Sequence, residues 1–278
     1  MRRRDLLAAA ATAAGLAALS RAAGANASTS FGFALGSGAL HGWAHVGIVR
    51  GCARIGLKPR AIAGSSVGAV VGALWAAGLA AEEIAGVARR LEWPSTAAGL
   101  TALLGARRRN HELREAVDRA AGGRQIQQLP VRFAAVASDA LTGDSVALEA
   151  GPLGLAVEAS CAVPALNEPV PIGNRMLFDG SLTAPVPVAA ARRLGAARVV
   201  AVDVAYRPYE EAPTSGSDYA YQAMHIIGNA LAREQTRQAD HVIKLDVHHL
   251  MRQRLDIDAL IEAGEAALLE LAPRLAPK

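Results

Sequence analysis

The stretch from residue 61 to residue 78 constrains the fold more than any other part of the chain. It reads AIAGSSVGAVVGALWAAG: a short apolar run, the turn Gly64-Ser65-Ser66-Val67-Gly68 and a long Ala/Val/Leu segment. This order predicts a buried strand, a sharp turn and a helix. A Gly-x-Ser-x-Gly turn is so tight that its glycine positions leave no room for a Cβ, and it presents the serine at a helix N-terminus. Ser66 is therefore the candidate nucleophile; the alternative is an ordinary helix start capped by Ser65 or Ser66.

A second glycine-rich turn lies upstream. The apolar run 31–35 predicts a first buried strand, and the loop Gly36-Ser37-Gly38-Ala39-Leu40-His41-Gly42 separates it from a helical pattern between Trp43 and Ile55. Such a loop offers several backbone N–H groups to a phosphate or to an oxyanion. A dinucleotide site would need the G-x-G-x-x-G spacing and an acidic end to the second strand, and the chain has neither. We therefore expect an oxyanion hole beside the serine turn.

Strands and helices alternate along the rest of the chain. Apolar runs predict further strands at 131–137, 145–148, 170–172, 176–178, 198–204 and 241–245. The pattern, with 52% hydrophobic residues, predicts a single α/β domain, a three-layer α/β/α sandwich around a mainly parallel sheet. Residues 92–130 are less regular, and we expect an insertion there with a helix at about 111–121. It either caps a pocket, touches lipid headgroups through Arg107–Arg109, or is a solvated excursion.

Residues 1–27 have the pattern of an export signal. Arg2-Arg3-Arg4 precedes an apolar run, Leu6 to Leu19, and an A-x-A end at Ala25-Asn26-Ala27, which is typical of twin-arginine export. The run is shorter than the roughly 20 residues that span a bilayer. We expect cleavage before Ser28, a mature domain of residues 28–278 and a periplasmic location, with secretion or membrane association as alternatives. Without the signal the formal charge falls from +4 to +1, and no basic, aromatic-rich run remains to bind nucleic acid.

The polar residues leave the choice of base open. A serine hydroxyl needs a partner that takes its proton. The order Ser, Asp, His could be met by Ser66, Asp179 and a histidine, but His225 falls inside a predicted helix, His241 begins a strand, and His248-His249 fits a surface pair better. The two cysteines, Cys52 and Cys161, lie in Ala-rich surroundings and are expected to be buried thiols, with a disulfide as the alternative.

Taken together, five sequence blocks resemble the patatin-like phospholipase family. The blocks are LGSGALHGWAHVGIVRG (35–51), GSSVG (64–68), VRFAAVASDALTG (131–143), ASCAVPALNEPV (159–170) and FDGSLTAPVPV (178–188), in the family's order and spacing. The resemblance implies a patatin-like fold and a serine lipid acyl hydrolase, of phospholipase A or esterase type, that needs no metal or cofactor. Its substrate would be a lipid or other ester, and peripheral contact with a membrane is an open expectation.

The resemblance also implies roles for single residues. Ser66 would be the nucleophile and Asp179 its base in a Ser-Asp dyad without histidine, and burial would raise the proton affinity of Asp179. The oxyanion hole would be formed by the backbone of Gly38 and Ala39, with Leu40. The motif glycines are Gly36, Gly42, Gly64, Gly68 and Gly180, the last of which lets the backbone pass close to the serine.

Two positions depart from the family's usual glycine loop. Ala39 replaces its third glycine, which is tolerable if the φ of Ala39 is negative. His41 stands where the family usually carries Arg or Lys. This favours an alternative function, a catalytically weak lipid-binding or regulatory protein; a Ser-His-Asp esterase is the third hypothesis.

Overall fold

The computed structural model describes residues 31–91, 111–164, 166–204, 216–247, 250 and 256–275. The predicted export signal, residues 92–110 of the predicted insertion and His248-His249 lie outside these ranges. The described strands are β1 (Phe31–Leu35), β2 (Ala61–Ser65), β3 (Arg132–Asp139), β4 (Ser145–Leu148), β5 (Val170–Ile172), β6 (Arg175–Asp179), β7 (Arg198–Asp203) and β8 (His241–Lys244).

The helices follow the predicted order. They are α1 (Ala44–Arg54), α2 (Val67–Ala76), α3 (Ala81–Arg90), α4 (His111–Ala121), α5 (Leu153–Ser160), α6 (Val188–Arg193), α7 (Gly216–Thr236) and α8 (Ile257–Leu275). Short 3₁₀ helices span Ala39–Trp43, Ile126–Gln128 and Gly180–Leu182. None of the described helices combines the length and the apolar character needed to cross a bilayer.

All eight strands form one mixed sheet. β1 pairs in parallel with β2 and β7, β2 with β3, and β7 with β8. In the second half of the chain, antiparallel pairing of β4, β5 and β6 replaces the alternation of strands and helices, and β5 and β6 form the hairpin that the apolar runs on either side of Gly173-Asn174 predict. β5 and β6 are linked only through Gly173-Asn174, with Gly173 at φ +61°, and so short a connection allows only an antiparallel hairpin. The mainly parallel sheet is confirmed.

The side chains of the central strands divide the core into two layers. In β1, Phe31, Phe33 and Leu35 face the larger cluster, which contains residues of α1 to α5 and α8. Ala34 faces the other way, into a smaller cluster with residues of α6 and with Ala232 of α7. Successive strand residues point to opposite faces. One face is therefore covered by six helices and the other by α6 and α7, which confirms the three-layer α/β/α sandwich.

Two helices of the larger layer, α8 and α4, pack closely into the core. α8 crosses α1 so closely that a Cβ on Gly47 would lie 2.0 Å from the carbonyl oxygen of Ile261. α4, within the segment predicted to be an insertion, packs Leu113 and Val117 into the core. Residues 111–121 are therefore a helix, as predicted, and this helix is part of the domain core.

Candidate active site

The turn between β2 and α2 holds Ser66 in a backbone conformation that few non-glycine residues adopt. Its φ is +54° and its ψ is −126°. A Cβ on Gly64 would lie 2.3 Å from the carbonyl oxygen of Gly68, and one on Gly68 would lie 2.2 Å from that of Leu35. The glycines are therefore required by close backbone contacts, as predicted. Ser66 occupies the N-cap position of α2 but its side chain makes no capping hydrogen bond, which argues against the ordinary helix start.

β2 and β6 meet end to end beside β3. Because β4 occupies one side of β3 here, β2 and β6 must both lie on the other side. β2 runs parallel to β3 and β6 antiparallel, so their carboxyl ends face each other. Ser65, the last residue of β2, is opposite Val136, and Asp179, the last residue of β6, is opposite Ala137. Ser66 and Asp179 therefore come to the same point of the sheet, and both line one pocket.

Three hydrogen bonds hold Asp179 in place. It is 1% exposed, and its Oδ1 accepts a hydrogen bond of 2.8 Å from the backbone N–H of Ser181. The carbonyl oxygen of Asp179 accepts a hydrogen bond of 2.8 Å from Ser138 Oγ, and its N–H donates to Ala162 O at 2.9 Å. These contacts fix the direction of the carboxylate before any substrate is present.

Burial raises the pKa of Asp179, as predicted. Hydrogen bonds from the backbone N–H of Ser181 and from the Ser66 hydroxyl oppose this rise by stabilising the charged form. Oδ2 is buried without a well-formed hydrogen bond to any described residue. A carboxylate with one fixed oxygen and one unsatisfied oxygen is suited to accept a proton from a neighbouring hydroxyl.

Three further side chains surround the serine turn. Ser160 Oγ accepts a hydrogen bond of 3.0 Å from the backbone N–H of Ser66 and donates one of 2.6 Å to Val136 O. Cys161 is a buried thiol that forms no disulfide within the described residues; burial raises its pKa, the charge of Asp179 raises it further, and a hydrogen bond with Ser66 lowers it. Ser65 Oγ is buried with no hydrogen-bond partner among the described residues.

Gly180 was expected to let the backbone pass close to Ser66, but it packs against Val136 and Ser65. A Cβ at this position would lie 2.1 Å from Val136 O and 2.6 Å from Ser65 Oγ. The glycine therefore allows close packing on the last residue of β2. Cys52 is a buried free thiol, so both cysteines are buried thiols, as predicted.

The glycine loop is anchored at its start. The N–H of Gly36 donates to Val202 O at 2.9 Å, and the Gly36 carbonyl oxygen accepts a hydrogen bond of 2.8 Å from His45 Nε2. Burial lowers the pKa of His45 to about 4, so its ring is neutral at neutral pH. His45 is thus a packing residue that ties α1 to the loop. A Cβ on Gly42 would lie 1.9 Å from Val67 Cγ1, which brings the loop against α2.

The middle of the loop differs from the expectation at one residue. Ala39 has φ +45°, so the condition that its φ be negative is not met. This conformation costs an L-residue roughly 1 kcal/mol. Gly38 and Ala39 line the pocket that contains Ser66. Leu40 is buried and does not line this pocket. The buried His41 lies against Gly38, with Nδ1 3.2 Å from Gly38 O.

The sequence did not predict the wall opposite the serine. Helix α7 lines the pocket through Met224, His225, Gly228, Asn229 and Ala232. Asp203, the last residue of β7, lines it as well and is buried, which raises its pKa, whereas Lys244 and Arg233 lower it. A polar residue at the carboxyl end of a buried parallel strand was the available signal for Asp203.

The two described candidate histidines, His225 and His241, lie in different parts of the fold. His225 lies inside a helix, as predicted, yet that helix faces the pocket. Burial lowers its pKa to about 4, and the charge of His41 lowers it too, so both effects favour the neutral ring. His241 begins β8 and lies 2.7 Å from Arg198 at the opposite edge of the sheet. No group of three His, Cys, Asp or Glu side chains within the described ranges could hold a metal ion.

Known proteins share this arrangement of sequence and fold. Residues 33–192 match the family model described as patatin-like phospholipase. An uncharacterized NTE family protein of Mycobacterium tuberculosis is 38% identical over 180 residues, which cover 62% of this chain and 48% of that protein. Lysophospholipase NTE1 of Debaryomyces hansenii is 27% identical over 180 residues, covering 63% of this chain and 12% of that protein.

A solved structure shows the same fold. The crystal structure of VipD from Legionella pneumophila superposes with a TM-score of 0.52 at 12% identity, over 88% of this chain and 67% of that one. The chain spans about half the length of the mycobacterial relative that is 38% identical to it. Because the family match covers more than half of the chain and includes both the serine turn and Asp179, the protein belongs to the patatin-like phospholipase family.

Proposed function

We propose that this protein is a serine lipid acyl hydrolase that cleaves carboxylic esters of lipids through an acyl-enzyme on the dyad Ser66 and Asp179. The observation that carries the proposal is the meeting of β2 and β6, which brings both residues to one pocket and leaves Asp179 buried with a raised pKa. The lysophospholipase among its relatives supports the lipid substrate class.

The residues suggest a sequence of proton transfers. Ser66 Oγ attacks the ester carbonyl carbon while Asp179 Oδ2 takes the hydroxyl proton. The negative charge on the carbonyl oxygen is stabilised by the backbone N–H groups of Gly38 and Ala39. Asp179 returns the proton to the leaving alcohol, and the acyl group remains on Ser66. Asp179 then accepts a proton from water, whose oxygen attacks the acyl carbon; as the bond to Ser66 Oγ breaks, Asp179 returns that proton to Oγ and the fatty acid is released.

The test compares variants of the protein that begins at Ser28, a form that keeps every described element. Turnover of p-nitrophenyl esters from acetate to palmitate, and of lysophosphatidylcholine, is measured for the wild type, Ser66→Ala, Asp179→Asn and His225→Asn. We expect the first two variants to be folded and inactive, and His225→Asn to retain turnover. Activity in Asp179→Asn together with its loss in His225→Asn would favour the Ser-His-Asp esterase.

His41 favours the alternative, a catalytically weak lipid-binding protein. It occupies the loop position where a cation was expected, and it lies against Gly38 O. If wild type and Ser66→Ala are equally inert although folded, the hydrolase proposal fails. His41→Arg then tests whether a cation at this position restores turnover.

We further propose export, with a periplasmic location, on the pattern of residues 1–27. Expression of the full chain and of an Arg2→Lys, Arg3→Lys variant, followed by cell fractionation, tests it. Cleavage before Ser28 and dependence on the arginine pair are expected, whereas an uncleaved cytoplasmic product of both chains would contradict export.

A further inference from the structure

Helix α7 is apolar on its outer face, the side turned away from the pocket. Tyr219, Ile226 and Ile227 are 60%, 54% and 59% exposed. With Ala223 and Ala230, which are exposed too, they form one stripe, because residues 3, 4 and 7 apart lie on the same side of a helix. We call these five residues the α7 stripe. Residues 219–232 contain no Asp, Glu, Lys or Arg, whereas an exposed helix face on a soluble domain is ordinarily polar.

The stripe belongs to the end of the sheet where the pocket lies. α7 connects β7 to the parallel strand β8, so its first half lies at the carboxyl edge, where Ser66 follows β2. The turn after β3 brings Leu141, 82% exposed, to the same edge, close to the exposed Met176, whose carbonyl oxygen accepts a hydrogen bond from Ala140 N.

Exposed apolar side chains at the opposite edge are few. Among the described residues, seven large hydrophobic side chains are exposed. Five of them are the α7 stripe's Tyr219, Ile226 and Ile227 with Leu141 and Met176. Of the other two, Ile55 follows α1 on the way back to the start of β2, at the opposite edge of the sheet, and Val242 lies within the outermost strand β8, opposite Ala201. A concentration of this kind marks an interaction surface.

We propose that the α7 stripe, together with Leu141 and Met176, docks the protein on a lipid surface so that the pocket opens toward the lipid. The proposal rests on the proposed function, because the occupant is inferred from a pocket that accepts lipid esters. The opposite face of the same helix lines that pocket, so a lipid layer held against Ile226 and Ile227 would lie about one helix diameter, roughly 10 Å, from the pocket.

The chemistry of the stripe also defines the kind of lipid surface. The stripe carries no cation for an anionic headgroup, so binding must come from insertion of apolar side chains at the headgroup boundary. We therefore expect neutral phosphatidylcholine vesicles to bind as well as vesicles with anionic lipid, and binding to be insensitive to salt. A basic docking surface would behave in the opposite way.

The test is sedimentation with phosphatidylcholine vesicles of the form beginning at Ser28, which lacks the apolar run at 6–19. We expect the double variant Ile226→Asp, Ile227→Asp to bind at least roughly tenfold more weakly than wild type, since each isoleucine loses its apolar transfer. Ile55→Asp, an exposed isoleucine at the other edge, is the matched control and should bind like wild type. Circular dichroism verifies that the variants are folded.

Equal binding by wild type and the double variant would overturn the proposal. So would a wild type that ignores vesicles and sediments as a dimer while the double variant is a monomer, because the stripe would then contact a second copy. Turnover of p-nitrophenyl acetate separates this proposal from the hydrolase, since Ile226 and Ile227 do not line the pocket. If vesicle binding depends on the stripe while Ser66→Ala and wild type are equally inert, docking stands and the hydrolase fails.

Discussion

Replacing Ser160 by alanine should disturb the nucleophile turn without touching the pocket lining. Ser160 Oγ is fully buried and bridges the backbone N–H of Ser66 at 3.0 Å and Val136 O at 2.6 Å. A buried polar group that loses its partner costs roughly 1–3 kcal/mol. With the N–H of Ser66 and the oxygen of Val136 both affected, we expect the free energy of unfolding to fall by about 2–4 kcal/mol.

The same bridge should matter for turnover. Ser66 is held at φ +54°, and backbone strain of this kind, roughly 1–3 kcal/mol, persists only while its surroundings enforce it. Without Ser160 Oγ the turn can relax and move Ser66 Oγ away from Asp179. We expect kcat to fall by about tenfold or more with little change in KM, since an error of about 1 Å in position can cost a hundredfold.

Ser65→Ala is the matched control, because it removes the same atom from the same turn. Ser65 Oγ is buried and has no described partner, so its loss should leave the free energy of unfolding unchanged or raise it by about 1 kcal/mol. Urea unfolding and steady-state kinetics well below the melting temperature measure both variants. Equal losses in Ser65→Ala and Ser160→Ala, or an unchanged Ser160→Ala, would refute the reasoning.

Three other perturbations follow from backbone strain and pKa shifts. Ala39→Gly should raise the free energy of unfolding by about 0.5–1 kcal/mol in urea melts, because φ +45° suits glycine; a loss would contradict the strain. Asp179→Asn should be more stable than wild type at neutral pH. The pKa of the Asp179 carboxyl is raised in the folded state above its unfolded value of 3.8. Its contribution to the free energy of unfolding is therefore present below pH 3.8 and is lost as pH rises through the folded pKa. In melts across pH, the difference in stability between the two proteins should disappear in acid. His45 has a folded pKa of about 4 against 6.5 unfolded, so stability should fall by roughly 3 kcal/mol as pH drops from 6.5 to 4, a slope that His45→Gln should remove.

Local signals in the sequence were reliable where a residue's immediate neighbours decide the structure. The elbow at Gly64 to Gly68 was predictable because a Cβ at either glycine would lie only 2.3 or 2.2 Å from a backbone oxygen, so that only glycine fits the closed turn. The three-layer sandwich followed from the alternation of strands and helices along the chain, because helices that connect parallel strands cover both faces of their sheet. The positive φ of Ala39 was not predictable, since alanine gives no sign of a left-handed conformation and the loop anchors at Val202 and His45 are distant in sequence.

The sequence by itself determined the strand, turn and helix around Ser66, the α/β class and, through its family blocks, the candidate pair Ser66 and Asp179. Only the tertiary structure decided how that pair meets, because β2 and β6 are over 100 residues apart and come together only through their shared neighbour β3. It also decided that α7 forms a pocket wall and exposes an apolar stripe. The physical reason is that turn geometry and side-chain alternation are local properties, whereas strand pairing and helix docking depend on which distant surfaces bury each other.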